Sequence, residues 1–163
     1  DVPSNWTPNN NTQTSTGTIW GTPSATTARS YTNGARTYYN WYAATGGTTN
    51  DYTTSGNASG SVCPKGFTLP TSSDYSSLTT TYNITHDSAG STKLRQSPLD
   101  FVYTGWYDCD NGLMDFVGGY GRYWSRTVSY SSDAYDLVFH GSYVSTQSHS
   151  RRGYGHALRC VAK

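Results

Sequence analysis

The 163-residue chain has 11 Lys and Arg against 10 acidic groups, all of them Asp, and a net charge of +1 at pH 7. Charged residues make up 13%, against roughly 25% in an average soluble protein, while aromatics reach 15% and Ser and Thr number 22 and 25. This excludes a helical bundle, whose surfaces use Glu, Lys, Ala and Leu, a membrane helix of ~20 apolar residues, and a disordered chain, which is poor in aromatics. What remains is an aromatic-rich, mostly β or irregular domain with a neutral hydroxyl surface. No basic and apolar leader opens the chain, so any signal peptide is expected to be gone already.

Residues 1–20 are rich in Asn, Thr, Ser and Pro, with Trp6 and Trp20, and read as a linker or an extended arm. Residues 21–163 read as one domain. Tyr38 to Ala44 form an aromatic cluster, read as a buried strand or turn. Phe67 and Leu69 alternate with Thr68, which suits a short strand. Thr71 followed by Asp74 is a capping-box signature, and Tyr75, Leu78 and Tyr82 share one helical face, so a helix is predicted over about 72–82.

A polar link then leads into a β-rich half. Gly105 to Tyr107 and Tyr120 to Ser125 read as strands around a loop. In Ala134 to His140, Tyr135, Leu137 and Phe139 point to the core, which puts Asp136, Val138 and His140 outward. Gly141-Ser142 turns the chain into Tyr143 and Val144. A closing strand is expected at about His156 to Ala162.

No zinc-type spacing joins Cys63, Cys109 and Cys160. In an exported protein two would pair. Cys63 and Cys160 flank apolar segments, and a bridge between them would close a loop of about 98 residues, worth up to ~4–5 kcal/mol. Cys109 lies in a polar stretch that reads as an exposed loop, and becomes the odd thiol. The alternative is three reduced, buried thiols in a cytoplasmic protein.

Charge is uneven: residues 1–121 carry −3 and residues 122–163 carry +4. Six cations without Lys clusters make only a modest patch, so no nucleic-acid partner is expected. Catalysis is not expected either. The chain has no Glu, four His and no nucleophile or phosphate-loop motif. Asp108, Asp110, Asp115 and Asn111 form a weak oxygen cluster that reads as a solvated loop, so no metal or other cofactor is assigned.

Five segments occur in a distinctive order: Tyr38 to Thr45, Asn57 to Thr71, Tyr123-Trp124-Ser125, Ala134 to Phe139, and Leu158 to Val161. Together they resemble the Fibrobacter succinogenes major paralogous domain, a bacterial surface family, over about residues 38–163. The resemblance implies an α+β, C-type-lectin-like fold: a twisted, mostly antiparallel sheet with one or two short helices and long loops. Family members carry a further N-terminal stretch with its own cysteine, so a segment before Asp1 is expected to be missing, processed or supplied by another chain. They often have Ser where this chain has Arg126.

A second likeness is to variable proteins of diversity-generating retroelements, whose lectin-fold surface is mutated at adenines. Asn codons treated in this way yield a restricted set of residues. The expected outward positions are Tyr107, Asp108, Asp110, Asn111, Arg126, Tyr130, Asp136, Val138, His140, Tyr143, Ser145, His149, Arg151, Arg152, Tyr154 and His156, all of types in that set. Gln147 is not. The reading is a surface-displayed, adhesin-like domain that binds a protein or glycan on another cell or phage. The alternative is a structural subunit of a bacterial filament or layer, self-assembling through the N-terminal arm.

Overall fold

A computed structural model describes residues 9–11, 28–46 and 55–163. The architecture is mixed α+β, with mostly antiparallel sheets and few, short helices. Its centre is a meander of three long strands, β8 (Tyr120–Val128), β9 (Asp133–His140) and β10 (Tyr143–Arg151), with β4 (Gly56–Asn57) beside β8. His140 pairs with Tyr143 across the two-residue turn Gly141-Ser142, as the sequence implies.

Both faces of this sheet are covered, because side chains alternate across each strand. On one face Tyr123, Leu137, Phe139 and Val144 pack against Tyr75, Ile84, Leu94 and Phe101. Those residues come from helices α2 (Ser72–Thr81) and α3 (Ser88–Leu94) and the loops beside them. On the other face Trp124, Val128 and Ala134 pack against Trp41, Tyr42 and Leu69, the first two from the short helix α1 (Trp41–Ala44). Trp41 and Trp124 are fully buried. Each removes ~150–250 Å² from water, on the order of 4–6 kcal/mol as an upper figure. Their indole N–H groups stay satisfied, donating to the Ser125 carbonyl at 2.9 Å and the Tyr39 carbonyl at 2.8 Å.

Local signals explain the smaller elements. Thr71 and Asp74 form the expected capping box of α2. In α3, Asp87 caps the Ala89 and Gly90 amides, and Gly90 lies so close to Thr85 that an added Cβ would sit 1.7 Å from its carbonyl oxygen. A hairpin of β2 (Arg29–Asn33) and β3 (Arg36–Tyr39) turns at Gly34, where φ is +61°, and β1 (Asn9–Asn11) pairs with β2 in parallel. Two short pairs complete the set: β5 (Phe67–Thr68) with β11 (Val161–Ala162), and β6 (Trp106–Tyr107) with β7 (Met114–Asp115).

The residues between β10 and β11 join these parts. The Trp41 amide donates to the Arg152 carbonyl, Tyr39 and His156 exchange two backbone bonds, and so do Tyr107 and Gly155. Ala157 accepts from the Trp124 amide and donates to the Arg122 carbonyl. Arg152 is fully buried, its guanidinium 4.6 Å from the centre of the Trp41 ring and donating to the Tyr130 carbonyl.

Several expectations need correction. The closing strand is regular only at Val161–Ala162, since residues 156 and 157 serve as isolated bridges instead. The polar link after α2 contains α3, and Cys109 is buried rather than exposed, although it is the unpaired thiol. Tyr82 is exposed rather than packed inward. The arm expected over residues 1–20, with Trp6 and Trp20, lies outside the described residues except for β1.

Cys63 and Cys160 form a disulfide across 97 positions. It ties the segment before β5 to the residue before β11. Replacing both cysteines by Ala is expected to lower stability by roughly 4–5 kcal/mol. Urea unfolding with and without reductant measures this, and the Cys109→Ser variant serves as the reference that keeps the bridge.

Candidate functional site

A cleft of about 440 Å³ opens over the central sheet, on the face that carries Trp124. The strand pair β6–β7 supplies one wall: Trp106 and Asp115 are cross-strand partners, and Asp108 follows β6. Arg122 and Ser150 rise from β8 and β10, with His156 at the floor. The far wall holds Asp133, His149, Arg151 and Tyr154.

Beneath the floor lies a buried polar cluster. Asp136 is fully buried, and its Oδ2 accepts from Arg122 Nη1 at 2.9 Å and Ser150 Oγ at 3.1 Å. Arg122 Nη1 also reaches Ser150 Oγ at 2.6 Å, while its guanidinium lies 4.7 Å from the centre of the Trp106 ring. His156 Nδ1 lies 3.5 Å from Asp136 Oδ2, and the imidazole stacks on Trp124 at 4.0 Å between ring centres. Among the described residues, neither ring nitrogen of His156 has a hydrogen-bond partner, and Asp136 Oδ1 and Arg122 Nε also lack one.

Burial sets the protonation states. It raises the Asp136 pKa, a shift opposed by the charge of Arg122. Burial holds His156 well below its usual range, and Arg122 pushes it further down. His156 is therefore neutral, and its contact with Asp136 is not an ion pair.

The rim is held by separate pairs. Arg151 forms an ion pair with Asp110, donates to the Tyr154 hydroxyl at 3.0 Å and lies 4.7 Å from the centre of that ring. His149 Nδ1 sits 3.0 Å from Asp133 Oδ2, and its ring meets the exposed Tyr130 edge-on. Asp108 accepts from the Asp110 amide at 2.8 Å and from Asn111 Nδ2 at 3.2 Å, which shapes its own loop. Burial raises the Asp115 pKa, and the nearby charge of Asp108 adds to the shift.

The cleft gathers five of the expected outward residues: Asp108, His149, Arg151, Tyr154 and His156. Asp110, Asn111 and Tyr130 stand beside it through the contacts just given. His140 and Tyr143 lie elsewhere, at the end of a run of rings that passes from Trp106 and Phe116 through Tyr120. Tyr143 is 44% exposed. Arg126 is half-buried and donates to the Ala58 carbonyl, away from the cleft, and Ser145 is half-buried on β10.

The outward placement fails at five positions. Tyr107, Asp136, Val138, Arg152 and His156 are buried, because the sheet has a second covered face instead of a solvent face. Four cleft residues were not anticipated as site residues: Arg122, Asp133, Ser150 and, as a wall residue, Asp115. For Ser150 the obstacle is a register shift between Ser145 and Ser148, which breaks simple alternation along β10.

Two further features stand close by. Asp108, Cys109 and Asp110 place one ligand-type atom each within 4.8 Å of one another. Asp110 is engaged by Arg151, and burial pushes the Cys109 thiol up to about 12, with the charge of Asp110 adding to it. Such a thiol is inert at neutral pH.

No known protein family, curated protein or solved structure matches the chain. Among the described residues no helix is long and apolar enough to cross a membrane.

The buried imidazole has a measurable consequence. Unfolded, His156 gains a proton as pH falls through about 6.5, whereas folded it does not. Its contribution to stability is therefore complete above that pH and declines below it, by at most about 1.4 kcal/mol per pH unit. Asp136 acts in the opposite sense, with stability lost as pH rises from 3.8 through its raised folded value. Urea midpoints at pH 7.5 and 5.5 are expected to drop more in the native protein than in the His156→Gln variant.

Proposed function

We propose that this chain is a non-enzymatic ligand-binding domain of C-type-lectin-like architecture, displayed outside the cell on a bacterial or phage surface. The observation that carries the reading is the cleft. Residues from β6, β7, β8, β9 and β10 and from the segment after β10 converge there around one concave, half-polar space. Concave sites with a few convergent polar groups and shifted titratable residues are the usual places for ligands.

The division of labour fits recognition better than catalysis. The floor residues Asp136 and His156 are locked under packed aromatics, one held by Arg122 and Ser150 and the other stacked on Trp124. Rim residues His149 and Arg151 lie on the edge strand β10, and Tyr154 packs against the buried clusters beneath it. Tyr and Arg supply large contact areas and versatile hydrogen bonds. A rim of this kind on a fixed framework suits a diversified binding face. The disulfide between Cys63 and Cys160 fits an oxidising, extracellular setting.

A panel of surface glycans, peptides and small metabolites, tested by biolayer interferometry, examines the reading. The double variant Arg151→Ala, Tyr154→Ala is expected to weaken binding at least tenfold with an unchanged far-ultraviolet spectrum. Arg126→Ala, away from the cleft, is expected to leave it intact. Binding that survives the double variant would move the site elsewhere, and the absence of any ligand across the panel would count against a binding domain.

A further inference from the structure

We propose that the cleft is specific for an organic cation, an alkylammonium or guanidinium group seated at Asp115 and Asp108. The proposal rests on the binding-domain reading above and names the chemistry of its ligand.

The lining of the cleft is unbalanced in charge. Asp108, Asp115 and Asp133 all face the cleft, and so do Arg122 and Arg151. Both arginines are already committed to acids outside the lining, Arg122 to Asp136 and Arg151 to Asp110. Asp133 has His149. Among the described residues, the carboxylate of Asp115 has no hydrogen-bond or ion-pair partner, and Asp108 engages its own loop through the Asp110 amide and Asn111. Positive charge near the lining is therefore spent, and negative charge is left over.

Asp115 is also fixed in position. Asp115 faces Trp106 across the β6–β7 pair, which fixes its carboxylate on the cleft wall. It is partly desolvated beside the like charge of Asp108, and both effects favour its protonated form. A bound cation relieves both at once, since it supplies the missing partner and offsets the repulsion.

The floor adds a buried acceptor. His156 lines the cleft and is fully buried, and among the described residues neither of its ring nitrogens has a hydrogen-bond partner. A neutral imidazole always keeps one acceptor nitrogen. An acceptor left without a partner at the floor suits a ligand that only donates. Ammonium and guanidinium groups do so, with three and five N–H bonds.

Apolar side chains next to Asp115, outside the cleft lining itself, suit the rest of the ligand. Leu113, Phe116 and Val117 flank Asp115 in sequence and are about half exposed or more. Phe116 holds φ at +50°, unusual for a bulky residue, and stacks on Trp106 at 5.0 Å. An apolar stem leading to the charged group would lie along these side chains. The same chemistry is carried by a Lys or Arg side chain of a protein and by a free polyamine.

Isothermal titration calorimetry at low salt, together with Trp106 indole shifts by NMR, separates these sources. The probes are spermidine, a capped tripeptide with lysine between two leucines, the same tripeptide with acetylated lysine, and a neutral hexasaccharide. At least one cationic probe is expected to bind and to shift Trp106, with at least tenfold loss for Asp115→Asn and in 0.5 M NaCl. Asp100→Asn, on the exposed turn after α3, is expected to change nothing. Binding of spermidine alone assigns free amines, and binding of the lysine tripeptide but not its acetylated form assigns a protein side chain. The proposal is overturned if neither cation binds, or if Asp115→Asn binds as well as the native chain with its melting temperature unchanged. Binding of the hexasaccharide alone overturns it while leaving the binding-domain reading in place.

Discussion

The backbone of residues 152–157 is the constraint on which the rest of the structure depends. It runs without regular secondary structure, yet its amides and carbonyls bond to β3, to the start of α1, to β6 and to β8. β8 is tied to β3 and α1 as well, by the indole N–H bonds of Trp124 and Trp41. Its side chains do the same work from within: Arg152 lies against Trp41, and His156 lies flat on Trp124. An irregular segment survives at the centre of a domain only when its polar backbone groups find partners. Here those partners are the edges of otherwise separate small sheets.

This arrangement explains why the cleft is where it is. The segment brings Tyr154 and His156 to the same space as Trp106 and Asp115 of β6–β7 and Arg122 of β8, and that space is the cleft. Its floor is costly, because a carboxyl group and an imidazole are fully buried beside a partly buried guanidinium. The charges of Asp136 and Arg122 compensate each other, Ser150 adds a hydrogen bond, and His156 avoids the cost by staying neutral. The floor is thus held by buried contacts, while the rim residues His149, Arg151 and Tyr154 are partly or fully exposed.

Local chemistry was legible in the sequence where one residue pattern decides the outcome. The Thr71–Asp74 capping box, the turn at Gly141-Ser142 and the pairing of Cys63 with Cys160 are of this kind. α3 was not legible, because its residues are small and polar with only Ala89 and Leu94 apolar. Its start depends on Asp87 and on the close approach of Gly90 to Thr85. Half of the cleft was read as surface from alternation, which assumes one wet face. That assumption fails for Asp136 and Val138, since both faces of β9 are covered. Arg122, Asp133 and Ser150 come together only through strand pairing over long sequence distances, which no local pattern reports.

The direct test of this account is native-state amide hydrogen exchange across the 152–157 junction. If the segment holds the domain together, the Tyr39, Tyr107, Gly155 and His156 amides should exchange only through global unfolding, with the same free energy as the central amides of β8 and β9. Exchange at these four amides through a separate, low-energy opening, while β8 and β9 remain protected, would contradict it.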